Sequence, residues 1–141
     1  MKSRRDGNAL IVRLEDGEDL ITSLEKALSM NNVSSGIILT GIGMLRDFEI
    51  GYYDGKEYLK KRIEKPHELV ALHGSIASAP EGMRLHIHAA LASPEHDIIG
   101  GHLFGGKVCV VNEISILALE NIGLVRNRDE RTGLMLLDFL D

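Results

Sequence analysis

Three histidines carry the chemistry this sequence could do. His86 and His88 stand two apart in Arg84-Leu85-His86-Ile87-His88, and His102 follows in Gly100-Gly101-His102-Leu103. In a β-strand, side chains alternate between faces, so His86 and His88 point one way while Leu85, Ile87 and Ala89 point the other. Three neutral imidazoles can hold a zinc-like divalent ion and leave a fourth position for water, a small molecule or a neighbouring chain. A His-x-His pair arises by chance in about a quarter of chains with this histidine content, so the pair alone is weak. The glycines before His102, which let a backbone turn or approach closely, strengthen the case. The alternative is three partly buried histidines bonded to backbone.

Two further residues are candidates for the surroundings of such a site. Glu68 and His73 fall on the preceding strand, where a carboxylate or imidazole could act as general base or orient a ligand imidazole. A buried ion pair or a solvated edge is the competing reading. His96, in a polar loop, reads as exposed. Thr40-Gly41-Ile42-Gly43 lacks the third glycine of a dinucleotide loop and reads as a tight turn or bulge. Lys56 to Lys65 interleaves basic residues with Tyr58 and could touch phosphates, but Glu57 and Glu64 make a charged sheet edge the better reading. No Ser-His-Asp or Cys-His arrangement has support from spacing.

The elements that must position these residues follow from periodicity. Ala9–Leu14 reads as a first strand closed by Glu15-Asp16-Gly17, with Arg4 and Arg5 in a mobile terminus. Leu20, Leu24, Ala27 and Leu28 share a helical face, and Glu18 and Asp19 lie where acidic groups complement the helix dipole. That helix ends around Met30 to Asn32. Strands are expected at Ile37–Leu39, Leu45–Tyr53, Glu57–Ile63, His67–Ser78 and the histidine segment, turning at Ala79-Pro80-Glu81-Gly82. Ile98–Phe104 and Val108–Leu119 read as two strands, Arg126–Arg131 as a charged loop, and Leu134–Leu140 as a final apolar run. The sum is one α+β domain over residues 1–141, a mainly antiparallel sheet with one main helix packed on it.

Composition narrows the class. The 141 residues are 44% hydrophobic and 26% charged with no Trp, which suits one globular core. A net charge of −5 argues against a surface that grips nucleic acid throughout. Cys109 is the single cysteine, so no internal disulfide can form, and its apolar neighbours suggest a buried inert thiol. The apolar run Ala9–Val12 is too short for a signal-peptide core, and nothing approaches a transmembrane helix. A cytoplasmic protein is the expectation. The number of apolar strand positions also suggests an oligomer.

Taken together, Gly41-Ile42-Gly43, the strand His67–Ile76, Leu85-His86-Ile87-His88 and Gly100-Gly101-His102-Leu103, in this order and spacing, closely resemble the PPC domain conserved in plants and prokaryotes. The resemblance runs from about Gly7 to Asp138. It implies a sheet carrying a helix, a homotrimer, and His86, His88 and His102 at the positions where some prokaryotic relatives hold a metal, often zinc. Plant members join this domain to AT-hooks that grip the DNA minor groove and use it to assemble and recruit partners. This chain has no Arg-Gly-Arg-Pro hook and keeps histidines that the plant domains lack, which puts DNA binding in doubt. The implied function is a trimeric, metal-binding module for assembly, recruitment or regulation. The alternative is a metal-dependent hydrolase- or lyase-like enzyme. Nickel, cobalt, manganese and iron also suit three imidazoles.

Overall fold

A computed structural model of the chain describes residues 1–140. In chain order the elements are β1 (Lys2–Asp6), β2 (Ala9–Glu15), α1 (Leu20–Met30), β3 (Gly36–Tyr53), β4 (Tyr58–Ile63), β5 (His67–Ala79), β6 (Gly82–Ala92), β7 (Ile98–Ala118), β8 (Leu124–Arg128) and β9 (Met135–Phe139). One sheet takes the order β1-β2-β7-β3-β5-β8-β9, with β4 on β3 and β6 on both β5 and β7. Pairing is antiparallel throughout except for the single bridge Ser78–Val125 between β5 and β8. Because β3 also pairs with both β5 and β7, the strands β3, β5, β6 and β7 close a ring of hydrogen bonding.

The core fills one side of this sheet. Leu10, Val12 and Leu14 of β2, Leu72 and Ile76 of β5, Ile87 and Leu91 of β6, and Ile114 and Ile116 of β7 are all buried. Helix α1 lays Leu20, Leu24, Ala27 and Leu28 on that apolar layer, the face its sequence spacing requires. Asp19 is its N-cap and accepts a hydrogen bond from the Thr22 N–H at 2.9 Å. Glu18 instead accepts from the Glu15 N–H at 2.7 Å, so it serves the turn and not the helix dipole.

Four expectations are corrected. The first residues are not a mobile terminus: Lys2–Asp6 pair with β2, and the Arg5 guanidinium donates to the Asn31 carbonyl at 2.7 Å and pairs with Glu120. Ile98–Phe104 and Val108–Leu119 are one strand, because Gly105-Gly106 continues the pairing where Phe48 packs; a Cβ on Gly106 would lie 2.7 Å from Phe48 Cβ. Arg126 lies in β8 and not in a loop. Cys109 is half-buried, not buried.

The charged segment at Tyr58–Ile63 is the sheet edge expected of it, pairing only with β3. Thr40 to Gly43 lies inside β3 between two register shifts, a bulged stretch. Among the described residues, no helix is long and apolar enough to cross a membrane.

Candidate metal centre and its cleft

Sheet register sets the site. On β6 the burial alternates as expected: Ile87 and Ala89 are buried, while His86 is half-buried and His88 exposed on the other face. His88 is directly opposite His102 on β7 and directly opposite His73 on β5, and His86 is opposite Ser75. Directly opposed residues on antiparallel strands project to the same face, a few ångströms apart. Three adjacent strands therefore deliver a histidine row with His86 one step back from it.

Close backbone approach makes this possible at two glycines. Gly74 sits so near β6 that a Cβ there would meet the His86 carbonyl oxygen. Gly101, at φ +152°, would bring a Cβ to 2.6 Å from the Gly51 carbonyl oxygen, so any side chain would push the His102 segment off β3.

The potential ligand atoms of His86, His88 and His102 all lie within 4.8 Å of one another. The Nε2 atoms of His86 and His88 are 3.2 Å apart. Two nitrogens bound to one tetrahedral zinc at about 2.0–2.1 Å would be separated by about 3.3 Å. The spacing suits two ligands on one ion, or one proton shared between two rings. Burial is the leading cause that holds the pKa values of His86 and His102 down to about 4, with Arg126 adding to it for His86 and the neighbouring histidines for His102. Both rings are therefore neutral at pH 7, as metal ligands must be. His102 Nδ1 is buried with no hydrogen-bond partner among the described residues. Geometry, charge state and donor set all fit a divalent ion.

His73 and Glu68 are placed differently. The His73 Nδ1–H donates to the Leu39 carbonyl at 2.8 Å, so this exposed ring is tied to β3 beside the cluster. Glu68 is opposite Ala92, four residues along β6 from His88. At strand rise that is roughly 13 Å, too far for direct contact with the three rings. His67 is buried against Phe48 and donates to the Lys65 carbonyl, and His96 is exposed at φ +68°.

A cleft of about 250 Å³ opens beside the cluster, lined by His86, His102, Tyr58, Phe104, Arg84 and Arg126 and by the start of β9. Tyr58 packs against His102 at 5.0 Å between ring centroids, and Phe104 at 4.5 Å. The Lys60 ammonium caps the Phe104 ring at 4.0 Å. Arg126 is only 5% exposed. It donates to the Ser75 Oγ at 2.5 Å, to the Met135 carbonyl at 3.1 Å, and lies 3.3 Å from His86 Nδ1. Burial, then repulsion from Arg84, lowers its pKa. Sequence reading missed Arg126, and the only available signal was the isolated apolar pair Leu124-Val125 before it.

Comparison with known proteins agrees with this architecture. The sequence matches the Plants and Prokaryotes Conserved (PCC) domain over residues 1–120. A metal-containing protein from Archaeoglobus fulgidus is 34% identical with a TM-score of 0.85, covering 96% of this chain and 94% of that one. A plant- and prokaryote-conserved (PPC) protein from Pyrococcus horikoshii is 29% identical with a TM-score of 0.85, covering 99% and 95%. The bifunctional protein GlmU of Synechococcus sp. (strain JA-2-3B'a(2-13)) is 29% identical over 125 residues, 86% of this chain but only 18% of that protein's length. With the family match spanning most of the chain and the fold shared from end to end, this chain belongs to the Plants and Prokaryotes Conserved domain family.

Proposed function

We propose that the protein is a homotrimeric metal-binding module in which His86, His88 and His102 hold one divalent ion, zinc by the family resemblance, and which works by assembly and recruitment. The convergence of three imidazoles within 4.8 Å carries this reading, and the metal-containing Archaeoglobus relative supports it. Bound there, a divalent ion supplies a Lewis-acidic position open to a donor from a small molecule or a partner. His88 and His102 join β6 to β7 across the site, and His86 completes the set from one step along β6. If His86 gives Nε2 to the ion, its proton sits on Nδ1, and the Arg126 amine now beside Nδ1 must turn to another acceptor.

The trimer is supported by the family resemblance and by the outer face of the sheet. Leu39, Ile42, Val70, Ile98 and Val110, all on β3, β5 and β7, are half or more exposed. Monomeric proteins rarely leave such apolar side chains on central strands uncovered.

The hydrolase- or lyase-like alternative needs a proton-transfer group at the ion. Among the described residues no carboxylate joins the three histidines, and the side chains flanking them in the cleft are cationic or apolar apart from the Tyr58 phenol. DNA binding would rest on β4 and the basic first residues Met1–Arg5, but Lys60 pairs with Glu49 at 2.9 Å and Arg5 with Glu120, and the net charge is −5.

The test is metal content per chain by elemental analysis of untagged protein, with a His86→Ala/His102→Ala variant beside it. About one equivalent in the parent and none in the variant is expected. Equal metal in both, or none in the parent after zinc addition, would refute the site. Light scattering at micromolar concentration tests the trimer, and a monomer would refute it.

A further inference from the structure

Arg126 is the one lysine or arginine among the described residues that is buried. No carboxylate pairs with it. Its hydrogen bonds go to a hydroxyl, a carbonyl and an imidazole, and its Nε has no partner among the described residues. The nearest formal charge is a like one, Arg84, on the same cleft. Arg84 is already engaged at the surface with Glu81 at 2.8 Å. A buried guanidinium with no counter-charge costs several kcal/mol, and a methionine would hold β8 against β5 without that cost. A cation kept under these conditions is explained by an anion that arrives from outside.

The cleft next to it defines the rest of that molecule. Arg84 and Arg126 share its lining with Tyr58, Phe104 and Leu136, beside His86 and His102, so cationic and apolar groups meet in one cavity. At about 250 Å³ it is smaller than the pockets that take drug-sized ligands, so it suits one ring or a short chain. We propose that the cleft binds a small organic oxyanion, a carboxylate or a phosphate monoester with an aromatic or aliphatic body, whose head group is neutralised by Arg126. The planar fork of a guanidinium matches both head groups, and the aromatic rings in the same lining match the body. His86 and His102 also line this cleft and Arg126 lies 3.3 Å from His86 Nδ1, so binding is measured in EDTA to separate the anion from the metal.

The experiment is calorimetric titration of the full-length, untagged protein in EDTA with benzoate, phenyl phosphate and inorganic phosphate, and with benzamide as the uncharged twin. Saturable binding of benzoate or phenyl phosphate at least about tenfold tighter than benzamide is expected. The head group is whichever of the two binds. Arg126→Met should weaken that binding at least about tenfold. Since Arg126 also ties β8 to β5, Leu136→Trp is the second variant: Leu136 is exposed, lines the cleft and takes part in none of Arg126's hydrogen bonds, so a larger ring there fills the cleft while the guanidinium stays. It should abolish binding with an unchanged urea midpoint.

No saturable binding of any oxyanion by the parent up to about 10 mM would overturn the proposal. So would equal binding by both variants. A benzoate signal seen only after zinc loading and lost in His88→Ala would also overturn it while leaving the metal site standing. Binding in EDTA by a protein that takes up no metal would sustain it and refute the metal site.

Discussion

Metal-stripped protein should lose stability on mild acidification, and the histidine cluster should account for much of the loss. The folded pKa values of His86 and His102 are about 4, while an unfolded imidazole titrates near 6.5. Below 6.5 the unfolded chain takes up protons that the folded cluster refuses, so stability is complete above pH 6.5 and falls as pH drops toward 4. At pH 5 the linkage relation gives about 2 kcal/mol per ring relative to pH 7.5. Both rings are half-buried and partly screened, and their mutual repulsion counts only once, so about 2 kcal/mol for the pair is the working figure. Urea titrations in EDTA at pH 7.5 and pH 5 measure it. The parent should lose about 2 kcal/mol more than a His86→Gln/His102→Gln variant, since the carboxylates away from the cluster are the same in both. Equal losses would refute the claim that burial and neighbouring charge hold these rings neutral.

Other outcomes follow from packing. Gly74→Ala would drive a Cβ into the His86 carbonyl oxygen; a loss of about 1–3 kcal/mol in urea is expected, with a matching fall in metal uptake because β6 must shift. Leu72→Ala, in a fully buried β5 position, should cost about 2–5 kcal/mol by the same assay with an unchanged denaturant slope. Asp19→Ala removes the α1 cap and should cost about 1 kcal/mol with no change in metal content. Zinc at about 100 times its dissociation constant should stabilise the parent by about 2.7 kcal/mol, seen as a raised urea midpoint, and leave the double-histidine variant unmoved.

The histidine pair was legible because strand alternation forces His86 and His88 to one face whatever the fold around them. The helix was legible for the same kind of reason: Leu20, Leu24 and Leu28 leave one apolar stripe. What failed to show is where local composition and tertiary role diverge. Lys2–Asp6 has no apolar side chain inside it, so only pairing with β2 reveals a strand. Gly105-Gly106 looks like punctuation, and it is instead room for Phe48. Arg126, amid Asn127, Arg128, Asp129 and Glu130, has the surroundings of a solvated loop, yet it is the residue that β8 inserts beneath the histidines. The distance from Glu68 to the cluster depends on a register shift in β5 between Leu69 and Ala71, which one strand alone cannot disclose.

The closed ring of β3, β5, β6 and β7 also constrains the order in which the molecule can form. Gly36 pairs with Ala118 at one end of the ring, and Gly51 with His102 at the other, so the strand that begins the ring must wait for the strand that completes it. Closing so long a loop costs chain entropy before any contact repays it, and proteins dominated by such pairings fold slowly. His102 reaches His88 only when β7 docks. During synthesis β3 and β6 remain half-paired until then, exposed to wrong partners. An ion at the three histidines can therefore reward the finished ring, but it arrives too late to guide the chain toward it.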